Sequence, residues 1–290
     1  MKGLLVVNSF IKLNKFLDIY DMLKNSAEEV DICLQIKTSA GLTLEMENGE
    51  FFSKEKPDFI LFWEKDIYLA KRLENYGVRL FNNANAVEVC DNKNLTFLAL
   101  ENKVKMPKTI LSPKTFEGVN YNNLEFVKKA VEKLGLPLII KETFGSFGKQ
   151  VYLANTLSEA EEIVKSLGYK DFLMQQFISS SVGKDVRINV VGNKVVSAIY
   201  RENKNDFRSN ITNGGTGENY TPTKEQIDLA LKACKIIGLD FAGVDILFGE
   251  NKEPVLCEIN SNPHFKSTLE ITNKDMSKEI MLYIKEQIKW

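Results

Sequence analysis

Short apolar runs recur along the chain, and in its first eighty residues they alternate with stretches whose apolar positions return every three or four residues. The runs GLLVVN, VDICLQI and PDFILFW read as strands, and residues 13 to 28 and YLAKRLENYG as amphipathic helices. Strand and helix in alternation predict a small parallel α/β layer. Asn48 and Gly49, between TLEME and EFFS, predict a tight hairpin inserted into it.

From Asn82 the pattern changes. NNANAVEVCDNKNLTFLALENK reads as one or two helices, and MPKTILS as a strand punctuated by Pro107 and Pro113. A helix over residues 121 to 135, the strand PLIIKE, a glycine-rich turn, the strand KQVYLAN and a helix over 157 to 168 follow. From residue 171 onward strands dominate: DFLMQQFI, DVRINVV, KVVSAIYR, FAGVDILF and PVLCEIN. Gly192 and Asn193 mark a two-residue hairpin turn, and helices near 223 to 237 and 275 to 289 are expected to cover this sheet. The resulting division is 1–82, 83–175 and 176–290, an α/β fold with α+β elements.

Composition narrows the picture. At 290 residues the chain exceeds one compact domain, so packed subdomains sharing a site are expected. With 44% hydrophobic and 27% charged residues it has the make-up of a globular protein. A net charge of −1 argues against a general nucleic-acid binder. No stretch approaches a membrane span, and MKGLLVVNSF suits a first strand better than a signal peptide, so a cytoplasmic protein is expected. Cys33, Cys90, Cys234 and Cys257 are scattered beside apolar stretches, which suits reduced core thiols.

The segment FAGVDILFGENKEPVLCEINSN carries the most chemistry. Asp245 interrupts an otherwise apolar strand, and Glu258 and Asn260, two apart on the next strand, share a face. Antiparallel pairing would gather these oxygens, a donor set suited to Mg2+; acids at strand ends in water fit the same spacing. In IIKETFGSFGKQV, Lys141 closes a strand, and Gly145, Ser146 and Gly148 form a loop able to offer N–H groups to phosphate oxygens. The spacing is not that of a P-loop, and a plain hairpin turn fits it as well. Further on, Asp185, Arg187, Arg201, Arg208 and Asn210 supply groups for phosphate or carboxylate, or a solvated face. The lone His264 suits a structural or substrate-contacting role better than that of a general base.

Together these segments resemble the ATP-grasp superfamily, and within it the RimK-type glutamate ligases, from about Asn82 to Phe265. The resemblance implies an N-terminal α/β domain followed by two subdomains clasping ATP. It places Lys93, after Asp91 and Asn92, and Lys141 at the nucleotide phosphates, and makes Gln175, Gln176, Phe177 and Ile178 the hinge facing adenine. Asp185 would meet the ribose, and Arg187, Arg208 and Asn210 would lie along the nucleotide. Asp245, Glu258 and Asn260 would hold two Mg2+ ions, or Mn2+ in their place. Gln176 stands where the family often has Glu, and Ser261, Asn262, Pro263 and His264 replace a common continuation beside the substrate site. Gly243, where D-alanine ligases often have Arg, favours the RimK branch.

The implied activity is that of a carboxylate–amine ligase acting through an acyl phosphate, which Arg201 and Arg208 would face while the loop at 144 to 149 excludes water. Its partners would be ATP, a carboxylate and an amine (small molecule or peptide), with no nucleic acid or membrane, and a homodimer is usual among similar proteins. A non-catalytic Mg-ATP module and a ligase for another pair, such as D-alanine, a carrier protein or a pterin-type cofactor, are the competing readings.

Overall fold

The structure, a computed structural model, describes residues 1–45 and 56–288. Its N-terminal layer is a parallel sheet of β1 (Lys2–Val7), β2 (Cys33–Thr38), β3 (Phe59–Trp63) and β4 (Leu80–Phe81), in the order β2-β1-β3-β4. All five residues of FILFW in β3 are buried, as an unbroken apolar run in a sheet covered on both faces demands. Helices α1 (Asn14–Glu28), α2 (Ser39–Glu45) and α3 (Ile67–Asn75) accompany it. The strand expected at TLEME is contradicted at its start, because residues 39–45 are helical. Thr43 Oγ1 donates to the Ser39 carbonyl at 3.0 Å, a contact across one helical turn. Asn48 and Gly49 lie outside the described residues.

Two helices follow, α4 (Ala84–Asp91) and α5 (Lys93–Leu100). Asparagine divides and starts them. Asn83 Oδ1 accepts from the Ala86 N–H at 2.9 Å, and Asn92 Oδ1 from the Leu95 N–H at 3.0 Å, each capping a helix N-terminus. The middle sheet holds β5 (Thr109–Leu111), α6 (Glu125–Leu134), β6 (Leu138–Glu142), β7 (Val151–Ala154), α7 (Leu157–Leu167) and β8 (Phe172–Gln176). Its strand order is β5-β8-β6-β7, with every pair antiparallel.

The third sheet runs β11-β10-β9-β12-β13, built from β9 (Lys184–Val191), β10 (Lys194–Glu202), β11 (Thr216–Asn219), β12 (Phe241–Phe248) and β13 (Pro254–Asn260). Period-two alternation sorts its faces. Val186, Ile188, Val190, Val244 and Ile246 are fully buried on one face, under α8 (Lys224–Ile237), together with residues from α4 and α5. Asp185, Arg187, Asp245 and Glu258 project from the other. Val191 pairs with Lys194 across the two-residue turn, where Gly192 has φ of 56°, and an added Cβ would come within 2.7 Å of the Tyr283 ring.

The two helices expected over this sheet do not lie together. The last, α10 (Met276–Ile288), packs on α1 and on β9 and β10, and its Met276, Ile280, Met281 and Ile284 share one core with Leu5, Leu23 and Phe59 of the N-terminal layer and with Val191 and Phe241 of the third sheet. Asn82 is a second tie between the layers. It is fully buried; its Nδ2 donates to the carbonyls of Phe241 (2.9 Å) and Ser261 (3.0 Å), and its Oδ1 accepts from the N–H groups of Asp240 (2.6 Å) and Phe241 (3.2 Å). The short elements β4, β11 and α9 (Lys266–Thr272) were not expected, being too brief to show a period. Of the four cysteines only Cys90 and Cys234 are buried core thiols; Cys33 is exposed on edge strand β2 and Cys257 is half-buried.

Candidate active site

Strand register gathers the polar residues. Asp245 lies opposite Glu258 on one side and opposite Arg187 on the other, and Arg201 lies opposite Asp185. Residues directly opposite on neighbouring strands share a face, so these five groups form one polar row. Asn260, two residues beyond Glu258, extends it.

The row is tightly paired. Both carboxylate oxygens of Asp245 accept from Arg187, Oδ1 from Nε and Oδ2 from Nη2 at 2.7 Å, while Arg201 Nη2 stands 3.0 Å from Oδ1. Burial opposes ionisation of Asp245, but Arg187 and Arg201 outweigh it and hold the carboxyl below its usual range. Arg201 also grips both oxygens of Asp185, at 2.7 and 2.5 Å. Burial works against its charge, yet Asp185 and Asp245 raise its pKa above the ordinary guanidinium value. Cross-strand register makes Asp185 and Arg201 each other's fork-to-fork partner, and both line the smaller of the site's two cavities.

Glu258 is more open, its nearest cation being Lys93 Nζ at 3.9 Å. Lys93, the first residue of α5, also donates from Nζ to the Gly145 carbonyl (3.2 Å) and from its backbone N–H to Thr143 (3.0 Å), so it spans the glycine-rich loop and β13. Burial lowers its pKa, and Glu258 partly restores it. Lys141 Nζ, buried on β6, donates to Cys257 Sγ at 3.9 Å. Burial pushes the Cys257 thiol up to about 11.

The loop from 143 to 150 lies against its surroundings. Arg208 Nη1 donates to the Gly148 carbonyl (2.5 Å) and Asn213 Nδ2 to that of Phe147 (3.2 Å), while Arg208 is also bound by Asp206. Gly148 has φ of 71°, and a Cβ there would meet Arg208 and Asn210 at 3.0 Å. From the N-terminal layer, Lys15 Nζ sits 3.7 Å over the Phe147 ring and Phe16 meets that ring edge-on.

Two adjoining cavities result. The larger, about 450 Å3, is lined by Lys93, Gly145, Ser146, Arg187, Asp245, Glu258 and Asn260, with His264. The smaller, about 110 Å3, is lined by Lys141, Gly148, Gln175, Gln176, Phe177, Ile178, Asp185, Arg201 and Arg208. Asn210, Asp245 and Glu258 border both, and every residue expected at the nucleotide, the metal or the acyl phosphate lines one or the other. The hinge residues are partly committed: the Gln176 N–H donates to the Lys108 carbonyl (2.9 Å) and Gln175 Nε2 to Thr109 (2.9 Å). His264 Nε2 lies 2.8 Å from the Lys15 carbonyl; burial, followed by nearby cations, lowers its pKa despite that bond.

Sequence reasoning missed the N-terminal wall of the larger cavity, formed by Asn8, Phe16, Tyr20, Trp63 and Glu64. Asn8 and Glu64 stand just past the carboxyl ends of β1 and β3, the edge at which open parallel sheets receive ligands, and that signal was available.

The model of the RimK-like ATP-grasp domain matches residues 90–284, which include every element of both cavities except this N-terminal wall. The chain belongs to the RimK-like ATP-grasp family. It is therefore an enzyme of the ATP-grasp ligase type. Among relatives, it is 32% identical over 280 residues to the uncharacterized protein MG012 of Mycoplasma genitalium, covering 94% of this chain and 96% of that one. It is 40% identical over 158 residues to a probable alpha-L-glutamate ligase of Vibrio atlanticus, covering 53% of this chain and 52% of that one. A RimK domain ATP-grasp protein from Sphaerobacter thermophilus has the same fold, with a TM-score of 0.75 at 19% identity over 98% of this chain and 99% of that one. So has the D-alanine–D-alanine ligase of Bacillus anthracis complexed with ATP, with a TM-score of 0.74 at 16% identity over 100% and 97%. Among the described residues, no helix is long and apolar enough to cross a membrane.

Proposed function

We propose that this RimK-like ATP-grasp protein joins a carboxylate to an amine at the expense of ATP, through an acyl phosphate, adding glutamate or a similar amino acid to an acceptor. One observation carries the reading: Asn210, Asp245 and Glu258 stand where a cavity bordered by the hinge meets a larger one. ATP would thread from the smaller cavity into the larger, with its phosphates passing Lys141, Lys93 and Arg208. The substrate carboxylate oxygen attacks the γ-phosphorus and ADP leaves; the amine nitrogen then attacks the acyl carbon, its bond to phosphate breaks, and inorganic phosphate and the amine's proton depart. Lys93 and Lys141 offset negative charge, and the loop held by Arg208 excludes water from the anhydride.

The donor set fits Mg2+. Asp245 and Glu258 are directly opposed hard oxygen ligands with the Asn260 amide beside them, and buried Asn260 Nδ2 has no hydrogen-bond partner, so the amide is free to turn. Among the described residues no cluster of three His, Cys, Asp or Glu side chains could hold a metal unaided. Mg2+ needs only a few protein oxygens, because it keeps water and phosphate oxygens in its shell. The ion would supply charge neutralisation at the phosphates. Asp245 can serve it only by loosening from Arg187, which frees that guanidinium for the substrate carboxylate.

The deciding experiment incubates the protein with Mg-ATP and paired panels of acids and amines, reading phosphate release and, by mass spectrometry, the new amide. Nucleotide binding without release across all pairs would leave the non-catalytic reading standing instead.

A further inference from the structure

Building on the ligase reading, we propose that the N-terminal end of the larger cavity receives the amine substrate as an ammonium ion, and that Glu64 is the residue that holds it. Glu64 stands one residue beyond β3, lines the cavity and is only 9% exposed. Its Oε1 accepts from Asn8 Nδ2 at 3.2 Å and from the Lys65 N–H at 2.9 Å, both neutral donors. Among the described residues no cation pairs with it. Its neighbour Lys65, which lines the same cavity, has its ammonium bound by Asp91. A carboxylate this deeply buried is costly without a countercharge, so the site is built for a cation brought in from outside.

The surroundings favour an organic ammonium over a metal. A divalent ion needs several hard oxygens, whereas Glu64 is a single carboxylate and Asp91, the nearby acid, already holds Lys65. Ile11, Phe16, Ile19, Tyr20 and Trp63 make this end of the cavity apolar and aromatic. Aromatic faces attract ammonium groups and accept a hydrocarbon body beside them. The Tyr20 phenol, pushed up to about 12 by burial and then by Glu64, stays neutral and adds no competing charge. Of the carboxylates lining the same cavity, Asp91 is paired with Lys65, Glu258 stands 3.9 Å from Lys93 and Asp245 is held by Arg187, which leaves Glu64 as the one with no cation beside it among the described residues. The acceptor class is a primary ammonium on an apolar body, such as the α-amino group of an amino acid or peptide.

The chain has two tryptophans, so Trp290→Phe leaves Trp63, beside Glu64, as the fluorescent reporter. The full chain with that change is titrated with methylammonium, phenethylammonium and L-amino-acid methyl esters, and with 2-phenylethanol as a neutral match. Ammonium probes are expected to bind at least about tenfold tighter than the neutral one, roughly 1.4 kcal/mol. Glu64→Gln should abolish that preference. Glu64→Asp, which keeps the charge but shortens its reach, should reduce it, and this carries the test if the Gln variant does not fold. Equal binding of charged and neutral probes, or a preference undiminished in either variant, overturns the proposal. Hydroxylamine trapping of acyl phosphate by the unmodified chain with Mg-ATP and the panel of carboxylic acids, read as the hydroxamate, tests the ligase reading separately: its failure would leave the ammonium preference measurable.

Discussion

Arg187→Met is the most direct test of how the polar row is held together. The guanidinium of Arg187 engages both oxygens of Asp245, whose residue is 4% exposed, and methionine fills much of the same volume without charge. Removing one partner of a buried ion pair costs about 3–5 kcal/mol. Here Arg201 still reaches Oδ1 at 3.0 Å and the Arg187 side chain is 12% exposed, so we expect about 2–3 kcal/mol, less than the general figure. Urea unfolding followed by circular dichroism, without nucleotide or divalent cation, measures it. Asp245→Asn and the double variant complete a cycle, with an expected coupling of about 1–3 kcal/mol. A coupling within about 0.5 kcal/mol of zero would refute the claim that this pair is structural. The pH dependence has a definite sign. The folded-state pKa of Asp245 is depressed, so its stabilisation is present above the unfolded value of about 3.9 and is lost as pH falls through the folded one. Arg187→Met should flatten that acid limb. Saturating Mg-ATP should stabilise the variant more than the parent, because the ion no longer competes with Arg187 for the carboxylate.

Glu258→Gln is expected to leave the melting temperature nearly unchanged and to cut phosphate release by orders of magnitude in a cognate assay; parental turnover would sink the metal assignment. Asn82→Ala removes four buried hydrogen bonds between the N-terminal layer and the ends of β12 and β13, and at about 1–3 kcal/mol for each group left unsatisfied it should cost at least about 3 kcal/mol by urea unfolding. A loss below about 1 kcal/mol would mean that water replaces the side chain. Gly148→Ala places a Cβ at positive φ against Arg208 and Asn210, so the loop cannot seat. A penalty of about 1–2 kcal/mol raises KM for ATP roughly five- to thirtyfold in initial-rate assays, and an unchanged KM would show that the loop seats without Arg208.

Much of the nucleotide side was legible because period-two geometry is local. In AGVDIL and CEIN an acid among apolar residues must leave the core face, and antiparallel pairing of adjacent strands then sets Asp245 opposite Glu258. What the one-dimensional pattern lacks is the register of strands that are distant in sequence. Arg187 lies opposite Asp245 only once β12 is placed beside β9, and Arg201 comes opposite Asp185 because an irregularity between Val195 and Ser197 shifts the register of the β9–β10 hairpin. Without that, each arginine reads as unpaired, whereas the structure sets Arg187 against Asp245 and Arg201 against Asp185. The same limitation hid the packing of α10 on α1, which lies at the other end of the chain, although the helix itself and its cover of the third sheet were expected.

Glu64 was invisible for another reason. In FILFWEK an acid after an apolar run looks like the point where a buried strand emerges into water, and nothing local distinguishes emergence from burial. Its burial depends on the C-terminal half of the chain. Asn262 Nδ2 donates to the Glu64 carbonyl at 3.1 Å, and Phe241 and Phe265 pack on Trp63, closing the edge of the parallel sheet. The segment SNPH thus does two things at once: Asn262 fixes the backbone of the residue that faces the amine end, and His264 ties to Lys15, whose side chain covers the glycine-rich loop. Substitutions in that segment therefore act on acceptor choice and loop closure together. A variant there that altered acceptor affinity alone, with the KM for ATP unmoved, would separate the two and break this link.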